Sequence, residues 1–466
     1  MRIKITIFLL LFGTIFLPAQ SISAAPRADA TNDQVMFSFP NTATFSATLT
    51  ANAAITSVAL EYGSKQQTCG DVVAKAFPQF TSAKTAQVEW TWDMRQSGSL
   101  PPGATIWWRW RYTDETGAEF VSEQKTATWL DAAHNWQSLA SPSGDLRLHY
   151  YDKSETFAKS MLDAGVEGLR RNKEQAGLTT GAPVDLYVYP NYDDMKSAIL
   201  YEPSWTGGMA FPEYDIFIMG ISSSDATWDQ NTVIHELTHV LIGHFTFSCI
   251  GTVPTWLNEG LAMFSEGKLD SHMQAQLDQA IRDNTLLSVR SLNGGFSELP
   301  DKANLSYSQS QSIVSFLIAT YKQEKMTQLL SALRDAKPID AALTEVYGFD
   351  TDGLEDAWRK SVNAQPRNVS AQPTIQPTPT QVPTYVPVSG APLAVTPTPY
   401  VIPTSSLDRP TPTPSANSNP LANSSFITLS VVLACICLII LLVIGIFALG
   451  LMVRNKNAKG ENNEQD

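Results

Sequence analysis

His235-Glu236-Leu237-Thr238-His239 and Trp256-Leu257-Asn258-Glu259-Gly260-Leu261-Ala262 decide how this chain is read. Residues i and i+4 of an α-helix share one face. A helix over 227–244 therefore sets His235 and His239 side by side, their imidazole nitrogens able to hold one metal ion. The flanking Val233, Ile234, Leu237, Val240, Leu241 and Ile242 are apolar, as suits a helix buried on its other faces. Glu236 stands beside the metal, placed to take a proton from metal-bound water. A catalytic zinc site keeps three protein ligands and one open position. The third is read at Glu259, on a second helix over 255–267 with Pro254 fitting its first turn. Nineteen residues separate His239 from Glu259, enough for a helix end, a loop and a return. His244 is off the metal face. Zn2+ is thus the expected cofactor, with His235, His239 and Glu259 as metal ligands.

The stretch around these motifs, 136–365, mixes two periods. Strands are predicted at 146–151, 184–189 and 215–219. Helices are predicted over 153–175, 227–244, 255–267, 271–283, 308–322, 325–336 and 351–363. Strands first and helices after imply an α+β domain. Ahead of it, 32–131 alternates apolar and polar residues, as in Val88, Trp90, Trp92 and in Ile106, Trp108, Trp110, Tyr112. Further strands are expected at 35–39, 43–50, 55–62 and 120–129. Some seven short strands separated by turn signals suggest an immunoglobulin-like sandwich, its tryptophans read as core.

Both ends read as addresses. Residues 1–24 have the form of a signal peptide: Arg2 and Lys4, a largely apolar run Ile5–Leu17, then small residues up to Ala24. Residues 426–453 are 28 uncharged residues followed by Arg454, Lys456 and Lys459, which is a single transmembrane helix with a cytoplasmic tail over 454–466. The folded part then lies outside the cell membrane. Between them, 366–425 holds 14 of the 28 prolines and reads as a Pro/Thr-rich stalk linker. The net charge of -13 argues against nucleic acid as a partner. Cys69 and Cys249 are the only cysteines ahead of the span. They either pair across the two domains, which export permits, or stand as two buried thiols.

The HELTH and WLNEGLA motifs resemble the gluzincin clan of zinc metallopeptidases, and more narrowly the peptidase MA-like family of bacterial exported proteins. The resemblance covers 136–365, and the Trp-rich β segment is similar to the module that precedes it in such proteins. It implies that His235, His239 and Glu259 bind zinc and that Glu236 is the general base. It also implies a metal helix packed on a sheet, followed by a helical lobe. Tyr307 is the candidate second donor to a developing oxyanion; a buried structural tyrosine is the alternative. Glu266 and Asp229 are candidates to orient a ligand histidine, and Tyr321 is read as core.

Two departures bear on specificity. The spacing to Glu259 is one residue longer than in M1 aminopeptidases. Where those carry Gly-x-Met-Glu-Asn, this chain has Gly207-Gly208-Met209-Ala210-Phe211. An alanine cannot grip a substrate's ammonium group. The expectation is a membrane-anchored zinc endopeptidase acting on peptides or proteins. A retired, non-catalytic adhesin or scaffold and an aminopeptidase are the alternatives.

Overall fold

The strand β2 (Thr42–Thr50) buries every second residue, and so does β6 (Thr105–Asp114). Each is the centre of an antiparallel sheet. β2 lies between β1 (Asp29–Ser38) and β5 (Thr85–Asp93). β6 pairs with β3 (Ile55–Ser64), which carries β4 (Ala74–Ala76) at its edge. The inward residues Phe45 and Leu49 of the first sheet meet Tyr62, Trp108 and Trp110 of the second in one core. Burying an indole leaves its N–H in need of a partner. Trp108 and Trp110 both donate to Asp33 Oδ1, at 2.8 and 3.1 Å. The tryptophans are therefore core, as read from the sequence. The strand expected at 120–129 is two: β7 (Glu119–Val121) and β8 (Lys125–Thr128), both on β6. The break falls at Ser122, whose hydroxyl accepts the Trp110 N–H.

These features belong to a computed structural model that describes residues 29–97, 100–200, 207–221, 226–297 and 299–367. All of them fall within one unit, Met1–Ile375. The expected signal peptide at 1–24, the expected stalk beyond residue 367, the expected membrane span at 426–453 and the expected tail at 454–466 lie outside the described residues. Among the described residues no helix is long and apolar enough to cross a membrane. The short helix α1 (Met94–Ser97) closes β5.

The second region is built on a five-stranded sheet of order β12-β13-β11-β10-β9. Its strands are β9 (Gln137–Ala140), β10 (Leu146–Tyr150), β11 (Val184–Tyr189), β12 (Gly208–Phe211) and β13 (Ile216–Gly220). The inner three run parallel, and both edges are antiparallel to them. Parallel neighbours need a crossover. It is supplied by α2 (Glu155–Ala176), capped by the Ser154 hydroxyl and ended at Gly177 with φ 70°. The helix α3 (Tyr192–Ser197) follows β11. On one face of the sheet, Leu146, Leu148, Leu186 and Phe217 pack with α2 and with α4 (Ala226–Phe245). On the other face, Tyr151, Tyr187, Tyr189 and Ile218 meet Phe39, Leu130 and Trp136 from the side of the β domain. Cys69 and Cys249 form a disulfide between the two regions, 180 residues apart in sequence. Of the two alternatives left open by the sequence, pairing is the one adopted. The Gln67 N–H also donates to the Glu213 carbonyl at 2.7 Å.

The helical part comprises α5 (Thr255–Glu266), α6 (Ser271–Asp283), α7 (Pro300–Tyr321), α8 (Gln323–Arg334), α9 (Ile339–Tyr347) and α10 (Thr351–Ser361). Two differences from the sequence reading matter. The helix expected at 308–322 starts at Pro300, a residue suited to a first turn because it lacks the N–H that would go unpaired there. Pro254 sits just before α5 as its cap, with ψ 144°, rather than inside the first turn.

Candidate metal centre

Between Asn231 and Ile242, the only residues of α4 not buried are Asn231, Thr232, His235 and His239. The others face the sheet, α2 and α5. The apolar pattern that makes this helix thus also decides which face is left for chemistry. Helix α5 brings Glu259 to that face. The next residue, Gly260, lets α5 lie close against α7: a Cβ there would be 2.6 Å from the Ser310 carbonyl oxygen.

Glu259 Oε2 lies 3.5 Å from His235 Nε2 and 3.4 Å from His239 Nε2. One donor atom from each of the three residues falls within 4.8 Å of the other two. Zinc bonds of about 2.1 Å in a tetrahedron place neighbouring donors about 3.4 Å apart. Glu259 Oε2 is buried and has no hydrogen-bond partner among the described residues. A buried carboxylate oxygen facing two imidazoles at this spacing is a donor set that fits zinc. Burial alone would raise the Glu259 pKa, but the adjacent His239 and His235 outweigh it and hold the carboxyl well below the usual range.

His235 Nδ1 lies 2.6 Å from Glu266 Oε1, at the end of α5. That contact fixes which ring nitrogen is left for a metal. Of the two candidates, Glu266, seven residues after Glu259, is the one seen in contact with His235; Asp229 is buried in the first turn of α4. The position and spacing of Glu266 were visible in the sequence, but no periodicity could rank it above Asp229.

Glu236 is buried on α4, and burial raises its carboxyl pKa against the pull of His235 and His239. Such a shift suits a group that must accept a proton near neutral pH. Its side chain touches the sheet edge. A Cβ on Gly208 would lie 2.8 Å from Glu236 Cγ. This contact, made by the edge strand β12, was not foreseen; the signal for it was the Gly207-Gly208 pair itself. Among the described residues strand β12 pairs only with β13, and the Gly220 N–H donates to the Gly207 carbonyl. The antiparallel register then turns the N–H and C=O of Gly208 and Ala210 away from β13, towards the open edge.

Tyr307 is in the second turn of α7 rather than at its start, because the helix begins earlier. Its ring centroid is 6.5 Å from that of His235 and 5.1 Å from Phe296. Burial raises its phenol pKa, and the nearby Glu259, Glu236 and Glu266 push it the same way, so the hydroxyl stays protonated and able to donate. Tyr321 packs with Tyr347 and Phe349, away from the centre, as expected of a core residue. His244 faces Asp215, with Nδ1 3.1 Å from Oδ1, and is not brought to the metal face.

Residues 164–364 match the model of the Peptidase MA superfamily. The resemblance read from HELTH and WLNEGLA holds over that stretch, and the match supports a metallopeptidase. Several solved structures show a distant likeness. An M1 zinc metallopeptidase from Deinococcus radiodurans is 11% identical over 69% of this chain and 90% of its own, with a TM-score of 0.31. Aminopeptidase A of Legionella pneumophila is 10% identical over 71% of this chain and 50% of its own, with a TM-score of 0.34. An aminopeptidase N family protein from Idiomarina loihiensis is 11% identical over 68% of this chain and 74% of its own, also at 0.34. No curated protein matches the chain.

Proposed function

Taking residues 164–364 as a Peptidase MA superfamily domain, we propose that the chain is a zinc endopeptidase, exported by residues 1–24 and anchored by 426–453 with its catalytic region outside. One observation carries the reading: His235, His239 and Glu259 converge at 3.4–3.5 Å beside a buried Glu236 that lies under an open strand edge.

When bound by His235, His239 and Glu259, zinc supplies Lewis acidity toward a scissile carbonyl and a water molecule. Glu236 accepts the proton of the attacking water and returns it to the leaving amine. Glu266 holds the His235 ring in register. The Tyr307 hydroxyl donates to the carbonyl oxygen as negative charge builds there. Substrate backbone pairs with the outward groups of Gly208 and Ala210, as an added strand. Ala210 offers no charge to an amino terminus, so substrate can run past it in both directions. That favours internal cleavage. The β domain, read as an immunoglobulin-like sandwich, braces the strand edge from behind.

The test is a mixed peptide library incubated with the purified full-length chain, with zinc content measured and product ends read by mass spectrometry. Internal cuts that vanish in Glu236→Gln, with zinc retained, are expected. Cuts confined to the first residue would replace the endopeptidase with an aminopeptidase. Absence of cuts with zinc bound would overturn the reading.

A further inference from the structure

We propose that Asn172 and Arg171, neighbours on α2, are positioning residues for the candidate metal centre: they lock the end of α5 to α4 and so hold Glu266 against the His235 ring. The inference rests on the zinc peptidase reading above.

Glu266 is the last residue of α5, so its 2.6 Å contact with His235 Nδ1 is as well defined as that helix end. The last four carbonyls of a helix have no partner within it. Two of the four on α5 are taken by Arg171. Its Nη1 donates to the Ser265 carbonyl at 2.9 Å and to the Glu266 carbonyl at 2.7 Å. A guanidinium at this end also meets the negative end of the helix dipole. Arg171 Nε is in turn held by Glu167 Oε1 at 2.9 Å, one turn back on α2. The following carbonyl, of Gly267, accepts from Gln311 Nε2 of α7 at 2.8 Å.

Asn172 ties the same point to the histidine helix. It is 1% exposed, and both ends of its amide are used. Nδ2 donates to Thr238 Oγ1 at 2.8 Å, and Oδ1 accepts from Ser265 Oγ at 3.3 Å. Thr238 and Ser265 are buried too. Thr238 Oγ1 donates to the Ile234 carbonyl at 2.7 Å. Ile234 and Thr238 immediately precede His235 and His239, and Ser265 immediately precedes Glu266. One amide therefore joins the residue before a metal ligand to the residue before the group that orients the other. Satisfying buried groups does not require it. Without Asn172, Thr238 still donates to the Ile234 carbonyl and Ser265 to Gln175 Oε1, at 3.1 Å. An apolar side chain would fill the space with less desolvation. What the amide adds is direction: it fixes the rotation and height of α5 against α4.

The experiment measures zinc affinity of the full-length chain by competition with a chelating dye, beside thermal unfolding and cleavage of the peptide library. Asn172→Ala and Arg171→Ala should each weaken zinc about fivefold, less than loss of a group that touches the ligand directly. Arg171→Lys keeps the charge but not the fork and should fall between Arg171→Ala and wild type. Each change is repeated in Glu266→Ala. There its further effect should shrink to within about twofold, because residues that act through one contact are not additive. Leu343→Ala, in the core of α9 where it packs on α8 and α10, is the control. It should lower Tm and leave zinc affinity unchanged. If Asn172→Ala does not fold, Arg171→Ala decides, its side chain being 29% exposed. Unchanged affinity, an equal loss with and without Glu266, or an equal loss in Leu343→Ala overturns the positioning role and leaves the peptidase reading standing. The expected coupling with no cleavage by the wild type keeps the role and removes the peptidase reading. A wild type that binds no zinc overturns both.

Discussion

Gly208→Ala puts the contact between strand edge and proton acceptor to the test. A Cβ at this position would stand 2.8 Å from Glu236 Cγ, 2.9 Å from Oε1 and 3.0 Å from Cδ. Carbon contacts are comfortable from about 3.5 Å, so the Glu236 side chain must retreat by about 0.7 Å. The atoms displaced are the far end of a side chain, not backbone, so the cost to folding is about 1 kcal/mol, a Tm decrease of about 2–4 °C. The cost to chemistry is larger, since about 1 Å of misplacement is worth about a hundredfold in rate. A loss of about 10- to 100-fold in kcat is expected, with zinc content unchanged. The assay is cleavage of the best peptide from the library, followed at saturating substrate, beside thermal unfolding and metal analysis. Wild-type kcat would refute the argument that Glu236 is held against β12. So would a Tm collapse with loss of zinc, because Gly208 would then be supporting the fold rather than giving room to one carboxylate.

Other expectations follow from individual contacts. Replacing both Cys69 and Cys249 by Ser removes a link spanning 180 residues, worth about 5 kcal/mol of chain entropy in the unfolded state; urea unfolding of wild type and variant measures it. Glu266→Ala frees the His235 ring and should weaken zinc about 10- to 100-fold in competition with a chelating dye; unchanged affinity would remove its orienting role. In the β domain, burial would raise the Glu61 carboxyl pKa, but hydrogen bonds from Arg109, Arg111 and Lys75 hold it down at about 2. Its contribution is therefore complete above about pH 4.5 and is lost as pH falls towards 2. Glu61→Gln should be less stable than wild type at pH 6 and converge with it near pH 2, read by urea unfolding across that range.

The candidate metal centre was legible because its logic is local. Spacing alone put His235 and His239 on one face, and the apolar flanks told which face was left open. Glu259 was legible because a second helix with its own motif carried it. Tyr307 was harder, since nothing in its neighbours fixes the start of α7 except Pro300, whose meaning depends on the loop before it. Strands β4 and β9 and helices α3 and α9 went unread. Each is short, between 3 and 9 residues, and owes its form to a neighbour rather than to its own periodicity. The contact between Gly208 and Glu236 joins residues far apart in sequence through sheet register, which no composition reports. The pairing of Cys69 with Cys249 was open for the same reason.

The disulfide has a topological consequence. It closes a covalent ring that contains β12, α4 and both histidines, while Glu259 lies outside it, ten residues beyond Cys249. A single backbone cut anywhere inside the ring leaves both flanks attached to one another. A cut between Cys249 and Glu259 is different in kind, because nothing covalent then ties Glu259 to the two histidines.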